Sequence, residues 1–179
     1  MYHYEDIGFR PIDESDLEML RIFHNENETM LFLGRAELFS SLDQLQWWKM
    51  MSGSRTNRAY CIIKDSYENV IGVLRNNNVD NINKNCEVGI DLLPEFRGKG
   101  YGYKSYKMAL EYLFDHLGMH TVYLRYIAFN EKAGKLYDKL GFKRTGVFPE
   151  YIFRYGKFCD YILMCMTVAQ YTELYKHNT

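Results

Sequence analysis

The sequence predicts an α+β fold, a mixed and mostly antiparallel central sheet flanked by helices. Three observations carry this. Apolar residues recur at helical spacing in some stretches and in short β-rich runs in others. The resulting order, β-α-α-β-β-β-α-β-α-β-β, places strands consecutively at the centre and the end, which suits hairpin pairing more than a regular βαβ repeat. Finally, 179 residues with 47% hydrophobic and 25% charged side chains suffice for one domain with a real core. Residues 1–179 contain neither an internal repeat nor a linker, so a single domain is expected.

Residues 8–12 (Gly-Phe-Arg-Pro-Ile) read as the first strand. Ser15-Asp16-Leu17-Glu18 is a capping-box pattern that opens a helix through about His24, with Leu17, Leu20 and Phe23 or His24 inward. Residues 25–40 are mixed, and Met30-Leu31-Phe32-Leu33 suggests a short buried turn or helix. Ser41-Leu42-Asp43-Gln44 is a second capping box, whose helix places Leu42, Leu45, Trp48 and Met51 on one face until Ser52-Gly53-Ser54 stops it. Residues 59–64 and 70–74 then read as a hairpin. Residues 76–85 hold six Asn and an Asp and predict a solvated loop or a flared hairpin tip.

Residues 86–93 form a strand that runs into Pro94-Glu95-Phe96-Arg97-Gly98-Lys99-Gly100-Tyr101-Gly102. A strong helix follows, with Tyr103, Tyr106, Leu110, Leu113, Phe114 and Leu117 recurring on one side and Gly118 ending it. Thr121–Ile127 is another strand. Residues 130–140 are a helix with Ala133, Leu136, Tyr137 and Leu140 inward, closed by Gly141. Residues 142–148 and 158–167 are two closing strands.

Composition removes several function classes. Net charge is -1, from 22 basic and 23 acidic residues, so no broad positive field exists to hold a nucleic acid. No apolar run approaches the roughly 18 residues of a membrane span. Met1-Tyr2-His3-Tyr4-Glu5-Asp6 lacks the basic and apolar regions of a signal peptide, which predicts a cytoplasmic protein. Cys61, Cys86, Cys159 and Cys165 each sit in an apolar run without a CxxC pair and read as buried thiols. No metal is expected: His116 and His120 have Gly118 between them and no third ligand, so a helix-end role suits the pair better. Trp47-Trp48 reads as one core anchor and one surface ring.

The chemistry concentrates at residues 97–102, where three glycines separate a strand from a helix. Glycines there let backbone N–H groups approach a ligand, and the helix start adds unpaired N–H groups. The run fits neither G-x-x-x-x-G-K-[ST] nor G-x-G-x-x-G. Alone, it reads equally as a tight turn or a phosphate nest.

Two motifs give it a context. Arg97-x-x-Gly100-x-Gly102 resembles the [Gln/Arg]-x-x-Gly-x-[Gly/Ala] loop of the GNAT N-acetyltransferases. Asn130-Glu131-Lys132-Ala133-Gly134-Lys135-Leu136-Tyr137-Asp138-Lys139-Leu140-Gly141-Phe142 resembles their second coenzyme motif, N-x-x-[Ala/Ser]-x-x-x-Tyr-x-x-x-Gly-Phe. The opening, Phe9-Arg10-Pro11-Ile12-Asp13-Glu14-Ser15-Asp16-Leu17, resembles the branch of ribosomal-protein alanine and spermidine acetyltransferases.

The resemblance covers nearly the whole chain. It implies the acyl-CoA N-acyltransferase fold and an acetyl-CoA-dependent transfer to a primary amine by direct attack in a ternary complex. It implies that Arg97, Gly98, Lys99, Gly100, Tyr101 and Gly102 cradle the pyrophosphate, that Asn130 bonds the pantetheine arm, and that Leu92, Leu93, Ala133 and Tyr137 also contact the cofactor. A free N–H near Asp91 or Leu92 would meet the acetyl carbonyl. Tyr137 would be the general acid toward the sulfur, since a phenol of pKa about 10 is protonated at neutral pH; a core aromatic is its other reading. Glu87 is the candidate base, through water, or else a cross-strand partner. Asn130 would also cap its helix.

The acceptor stays open between a protein N-terminus, a polyamine drawn by Glu26, Glu28 and Glu37, and a nucleotide-linked amino sugar drawn by Arg35, Arg55 and Arg58. The implied protein is a monomer or homodimer. A non-catalytic acetyl-CoA sensor is the alternative.

Overall fold

The computed structural model describes residues 1–176, so the last three residues of the predicted domain lie outside the described part. Its elements are β1 (Tyr2–Tyr4), β2 (Ile7–Pro11), α1 (Leu17–Asn25), α2 (Asn27–Phe32), α3 (Ser41–Gly53), β3 (Arg58–Lys64), β4 (Val70–Asp80), β5 (Asn85–Leu92), α4 (Tyr101–Glu111), β6 (Thr121–Ile127), α5 (Glu131–Leu140), β7 (Lys143–Arg154), β8 (Lys157–Thr167) and α6 (Val168–Tyr175). The eight strands run in the order β1-β2-β3-β4-β5-β6-β8-β7. Every pair is antiparallel except β5–β6.

Strand alternation, with a register shift in β4 at Ile71, sends Ile62, Ile71, Leu74, Cys86, Val88, Val122 and Leu124 to one face of the sheet, where they pack with Tyr106, Leu110 and Leu113 of α4 and its continuation and with Leu140 of α5. The opposite face carries a smaller core. There Cys61, Ile63 and Val73 meet Leu20 and Phe23 of α1, flanked by Trp47 and Trp48 of α3. That second layer covers only the β2–β4 half of the sheet, which leaves the other half of the face open for a site.

Four features differ from the sequence expectation. The first strand has a partner, β1, whose tight turn places Glu5 at φ 53 without the Gly or Asn that would signal it. Its anchor is aromatic: the Tyr2 ring stacks on Phe9 at 5.2 Å. Second, both capping boxes begin earlier than read. Asp13 N–H donates to Asp16 Oδ2 at 2.8 Å, and Ser40 Oγ accepts from Asp43 N–H at 3.2 Å. On α3, Leu42 is 61% exposed and Gln44 is buried in its place, while Met51 is inward as expected. Third, much of the Asn-rich stretch is strand: β4 runs to Asp80 and β5 starts at Asn85. Pairing between Asn76 and Val88 and between Asn77 and Glu87 outweighs the poor strand propensity of Asn. Fourth, α6 follows β8, capped by Thr167 and buried through Tyr171, which stacks on Phe114 at 4.7 Å.

Asp16 moves from helix opener to buried ion-pair partner. Arg10 donates to its two oxygens at 2.7 and 2.8 Å. Burial pushes the carboxyl up, but the Arg10 hydrogen bonds and the Asp13 N–H outweigh it and hold it below the usual range. A carboxylate depressed in the folded state stabilises above its unfolded pKa and loses that contribution as pH falls through the folded value. Asp16→Asn should therefore cost about 3–5 kcal/mol at neutral pH by strand-and-helix unfolding in urea. The gap from the unaltered protein should begin to narrow below about pH 4 and close only once pH has fallen through the depressed folded value.

Candidate active site

The one parallel pair in the sheet opens into a wedge. β5 and β6 pair at Asn85↔Thr121, Cys86↔Val122 and Glu87↔Tyr123 and then part. Each keeps its other neighbour: β5 stays on β4 to Gly72↔Leu92, and β6 stays on β8 to Ile127↔Tyr161. The backbone facing the gap is therefore ordered but unpaired across it. Leu93 N–H donates to Ile71 O of β4 at 2.9 Å. Amide direction alternates along a strand, so Asp91 N–H also faces β4 and Leu92 N–H faces the wedge. Of the two expected donors, the register selects Leu92. Leu93 has its N–H committed to β4, so any part it takes is through its side chain.

Below the wedge lies the glycine run. Gly98 and Gly100 have φ of 71° and 87°, a region that L side chains avoid, and a Cβ at either would meet nothing within 4 Å. Gly100 is the N-cap of α4. Lys104 N–H reaches Gly100 O at 3.2 Å, which leaves the N–H groups of Tyr101, Gly102 and Tyr103 at the helix start without intrahelical partners. Open space above left-handed glycines, next to the positive end of a helix, fits a pyrophosphate. Gly102 serves packing instead: a Cβ there would lie 3.3 Å from Leu136 of α5. Lys99 is exposed at the loop tip, and Tyr101 packs edge-on against Phe96 at 5.8 Å. Arg97 departs from expectation. Its guanidinium turns away from the glycines to Leu92 O and Thr29 Oγ1.

Tyr137 of α5 is 8% exposed. Its ring lies between Tyr106 at 5.3 Å, Tyr126 at 5.4 Å and Phe142 at 6.2 Å. So it is a core aromatic as well as a candidate acid. The Tyr106 hydroxyl donates to the Tyr137 oxygen at 3.2 Å and itself accepts from the Ile90 backbone N–H. An amide can only donate, so the relay has one direction: Ile90 to Tyr106 to Tyr137. The Tyr137 proton is left free to point elsewhere. Burial pushes this phenol up to about 12, partly offset by the Tyr106 bond, which keeps it a donor. Asn130 caps α5, its Oδ1 accepting from Ala133 N–H at 3.2 Å, and its amide NH₂ is not used in that bond. Gly134, inside the second motif, lets α5 dock: a Cβ there would come within 2.9 Å of the Tyr126 hydroxyl.

On the open face, strand alternation gathers Glu87, Gly89 and Asp91 of β5, Arg75 of β4 and Arg125 of β6. Arg125 grips both Glu87 oxygens at 2.7 Å, and Asn78 adds a third contact at 3.3 Å. Arg75 pairs with Asp91, and its guanidinium lies over the space that Gly89 leaves free, 3.6 Å from where a Cβ would stand. Tyr161 of β8 stands beside both pairs, with Arg125 5.5 Å above its ring. The expectation of a free base at Glu87 is thus corrected: its oxygens are taken by a guanidinium, as in the cross-strand reading. Glu87→Gln should cost about 1–2 kcal/mol of stability in chemical denaturation. The acidic limb of the pH–rate profile should keep its midpoint.

Sequence reasoning missed Arg75, Tyr106, Arg125 and Tyr161 as site residues, because each enters only through a cross-strand or strand-to-helix neighbour. An apolar groove borders the same region. Met19, Ile22, Phe23, Leu93 and Pro94 line it between the carboxylates of Glu26 and Glu95.

A split parallel pair, a left-handed glycine run at a helix start and a tyrosine relay between them define the class as an N-acyltransferase. The chain belongs to the GNAT acetyltransferase family: the model described as an acetyltransferase (GNAT) domain matches residues 6–143. It is 27% identical over 166 residues to spermidine N(1)-acetyltransferase from Vibrio cholerae serotype O1, covering 92% of this chain and 95% of that one. The [ribosomal protein uS5]-alanine N-acetyltransferase of Escherichia coli K12 is 26% identical over 87 residues, 49% of this chain and 45% of that one. Among solved structures, the Vibrio cholerae spermidine N-acetyltransferase in complex with CoA and spermine superposes with a TM-score of 0.88 at 24% identity, over 94% of this chain and 99% of that one. The mixed eight-stranded sheet is thus the acyl-CoA N-acyltransferase fold, as the motifs imply.

Proposed function

We propose that this acetyltransferase moves an acetyl group from acetyl-CoA to a primary amine of the polyamine class, by direct attack within a ternary complex. The observation that carries the transfer is the wedge, which brings an unpaired Leu92 N–H and the Tyr106–Tyr137 relay to the mouth of the glycine run. Acetyl-CoA supplies the activated acyl group. Gly98, Gly100 and the first N–H groups of α4 hold its pyrophosphate, and Asn130 offers its amide to the pantetheine. Leu92 N–H stabilises the charge that develops on the acyl oxygen. Tyr137 gives its proton to the departing sulfur. The attacking amine loses its proton to water on the open face, since both nearby carboxylates are held by arginines. Turnover should therefore rise with pH as the acceptor amine becomes neutral.

The polyamine class draws on full-length similarity to a spermidine acetyltransferase and on the groove at Leu93, where methylenes find apolar side chains and ammonium groups find Glu26 and Glu95. A protein N-terminus has weaker support, because the ribosomal-protein enzyme matches only half of the chain. One observation favours an amino sugar as a second reading: Arg75, Arg125 and Tyr161 line the open face with groups that bind hydroxyls or phosphates. The free cysteines suit a reducing cytoplasmic setting.

The test is thiol release from acetyl-CoA with spermidine, spermine, a nucleotide-linked amino sugar and an alanine-terminated peptide. The highest kcat/KM is expected with a polyamine, and preference for the sugar would move the assignment to the second reading. Tight acetyl-CoA binding without turnover on any amine would make the protein a sensor.

A further inference from the structure

Arg97 occupies the first position of the glycine motif, yet its side-chain hydrogen bonds go to Leu92, Thr29 and Glu28 and not to the glycines. Nε donates to Leu92 O at 2.9 Å, Nη2 donates to Thr29 Oγ1 at 2.7 Å, and Nη1 lies 3.3 Å from the Glu28 carboxylate. The guanidinium carbon also sits 6.0 Å from the centre of the Phe23 ring. One planar side chain thus joins three elements: the end of β5, α1 and α2.

Both ends of this link matter. Leu92 is the residue whose N–H enters the wedge, and its carbonyl is the atom that Arg97 holds. Thr29 is 5% exposed and lies in α2, a helix of six residues, too short to be stable alone. The far end of α2 is tied by Arg154, which donates to Leu31 O at 3.1 Å and Leu33 O at 2.5 Å. The chain then passes Gly34, where a Cβ would lie 3.7 Å from the Tyr161 hydroxyl on the open face. So α2 borders the acceptor side, and a rigid guanidinium fork connects it to the donor peptide.

We infer that Arg97 is a positioning residue that couples the seating of α2 to the orientation of Leu92, and not a ligand of the pyrophosphate. This rests on the acetyl transfer proposed above. Thr29→Val keeps the size of the side chain but removes the hydroxyl that accepts from Arg97 and donates to Glu26 Oε2 at 3.3 Å; it touches neither the glycines nor β5, and Arg97→Ala, which spares the Glu26 bond, separates the two contacts. Thr29→Val should lower kcat about tenfold, the scale of one lost charge-assisted hydrogen bond. The dissociation constant for acetyl-CoA should stay within about threefold, while Thr29→Ser, which keeps the hydroxyl, should restore kcat. Arg97→Ala should show the same split, with a larger fall in kcat.

The experiment is steady-state kinetics with spermidine beside calorimetric titration of acetyl-CoA, on the full chain and the three variants. A tenfold or greater rise in the acetyl-CoA dissociation constant for Arg97→Ala, growing weaker with salt, would make Arg97 a phosphate ligand and overturn the inference. Equal kcat for Thr29→Val and the unaltered protein would overturn it too. Absence of turnover by the unaltered protein on every amine would remove the transfer reading along with it, an outcome distinct from either.

Discussion

Tyr137→Phe should lower kcat by about 100-fold or more, the scale of a lost general acid, while acetyl-CoA affinity changes by less than about threefold. The ring stays, so its packing against Tyr106, Tyr126 and Phe142 stays. Only the hydroxyl goes, and with it the end of the relay that starts at Ile90 N–H. The Tyr106 proton loses its acceptor, a stability cost of about 1 kcal/mol, too small to confuse with loss of fold. Because burial holds the Tyr137 phenol near 12, its ionisation should place no limb on the unaltered enzyme's pH–rate profile in the neutral range. A variant with normal kcat would return Tyr137 to the core and remove it from the chemistry.

The parts of this site that the sequence made legible are those written in one segment. Gly98 to Gly102 signal a strand-to-helix junction because their backbone needs are local, and Asn130 to Phe142 do so because cap, apolar stripe and closing glycine share one helix. The strand that carries Glu87 and Asp91 is legible too, but what those carboxylates do is not. Glu87 looks like a base until Arg125, on a strand paired in parallel after a helical crossover, is found on both of its oxygens. Arg97 holds the first position of the glycine motif, and its guanidinium is found on Thr29 of α2, far away in the sequence. Both contacts escape a local reading for one reason: a charged side chain's partner is set by sheet register and helix seating, which no local pattern encodes. The capping boxes failed differently. Asp13 to Asp16 and Ser40 to Asp43 overlap with equally good patterns a residue or two later, and the choice falls to burial of Asp16 against Arg10 and to which face of α3 meets the sheet.

Leu92→Pro should lower kcat by about 100- to 1000-fold, the range for removing one oxyanion donor, and leave acetyl-CoA binding largely intact. Proline is usually excluded from a central strand because it deletes a ladder hydrogen bond. At Leu92 that objection falls away, since the Leu93-to-Ile71 bond fixes the alternation and turns Leu92 N–H toward the wedge. Asp91, the residue before, already has the extended backbone that a following proline demands. The side chain is a separate matter: Leu92 packs against the α4 core, and a proline fills that space poorly. Leu92→Ala separates the two effects, for it loses the same packing and keeps the N–H. The expected order of kcat is therefore the unaltered enzyme, then Leu92→Ala within a few-fold, then Leu92→Pro far below. If the proline and alanine variants turn over alike, the donor is not Leu92 N–H, and the wedge serves to admit the thioester without polarising it. The comparison resolves the register to a single residue, because amide direction alternates and the neighbouring N–H of Asp91 is turned to β4.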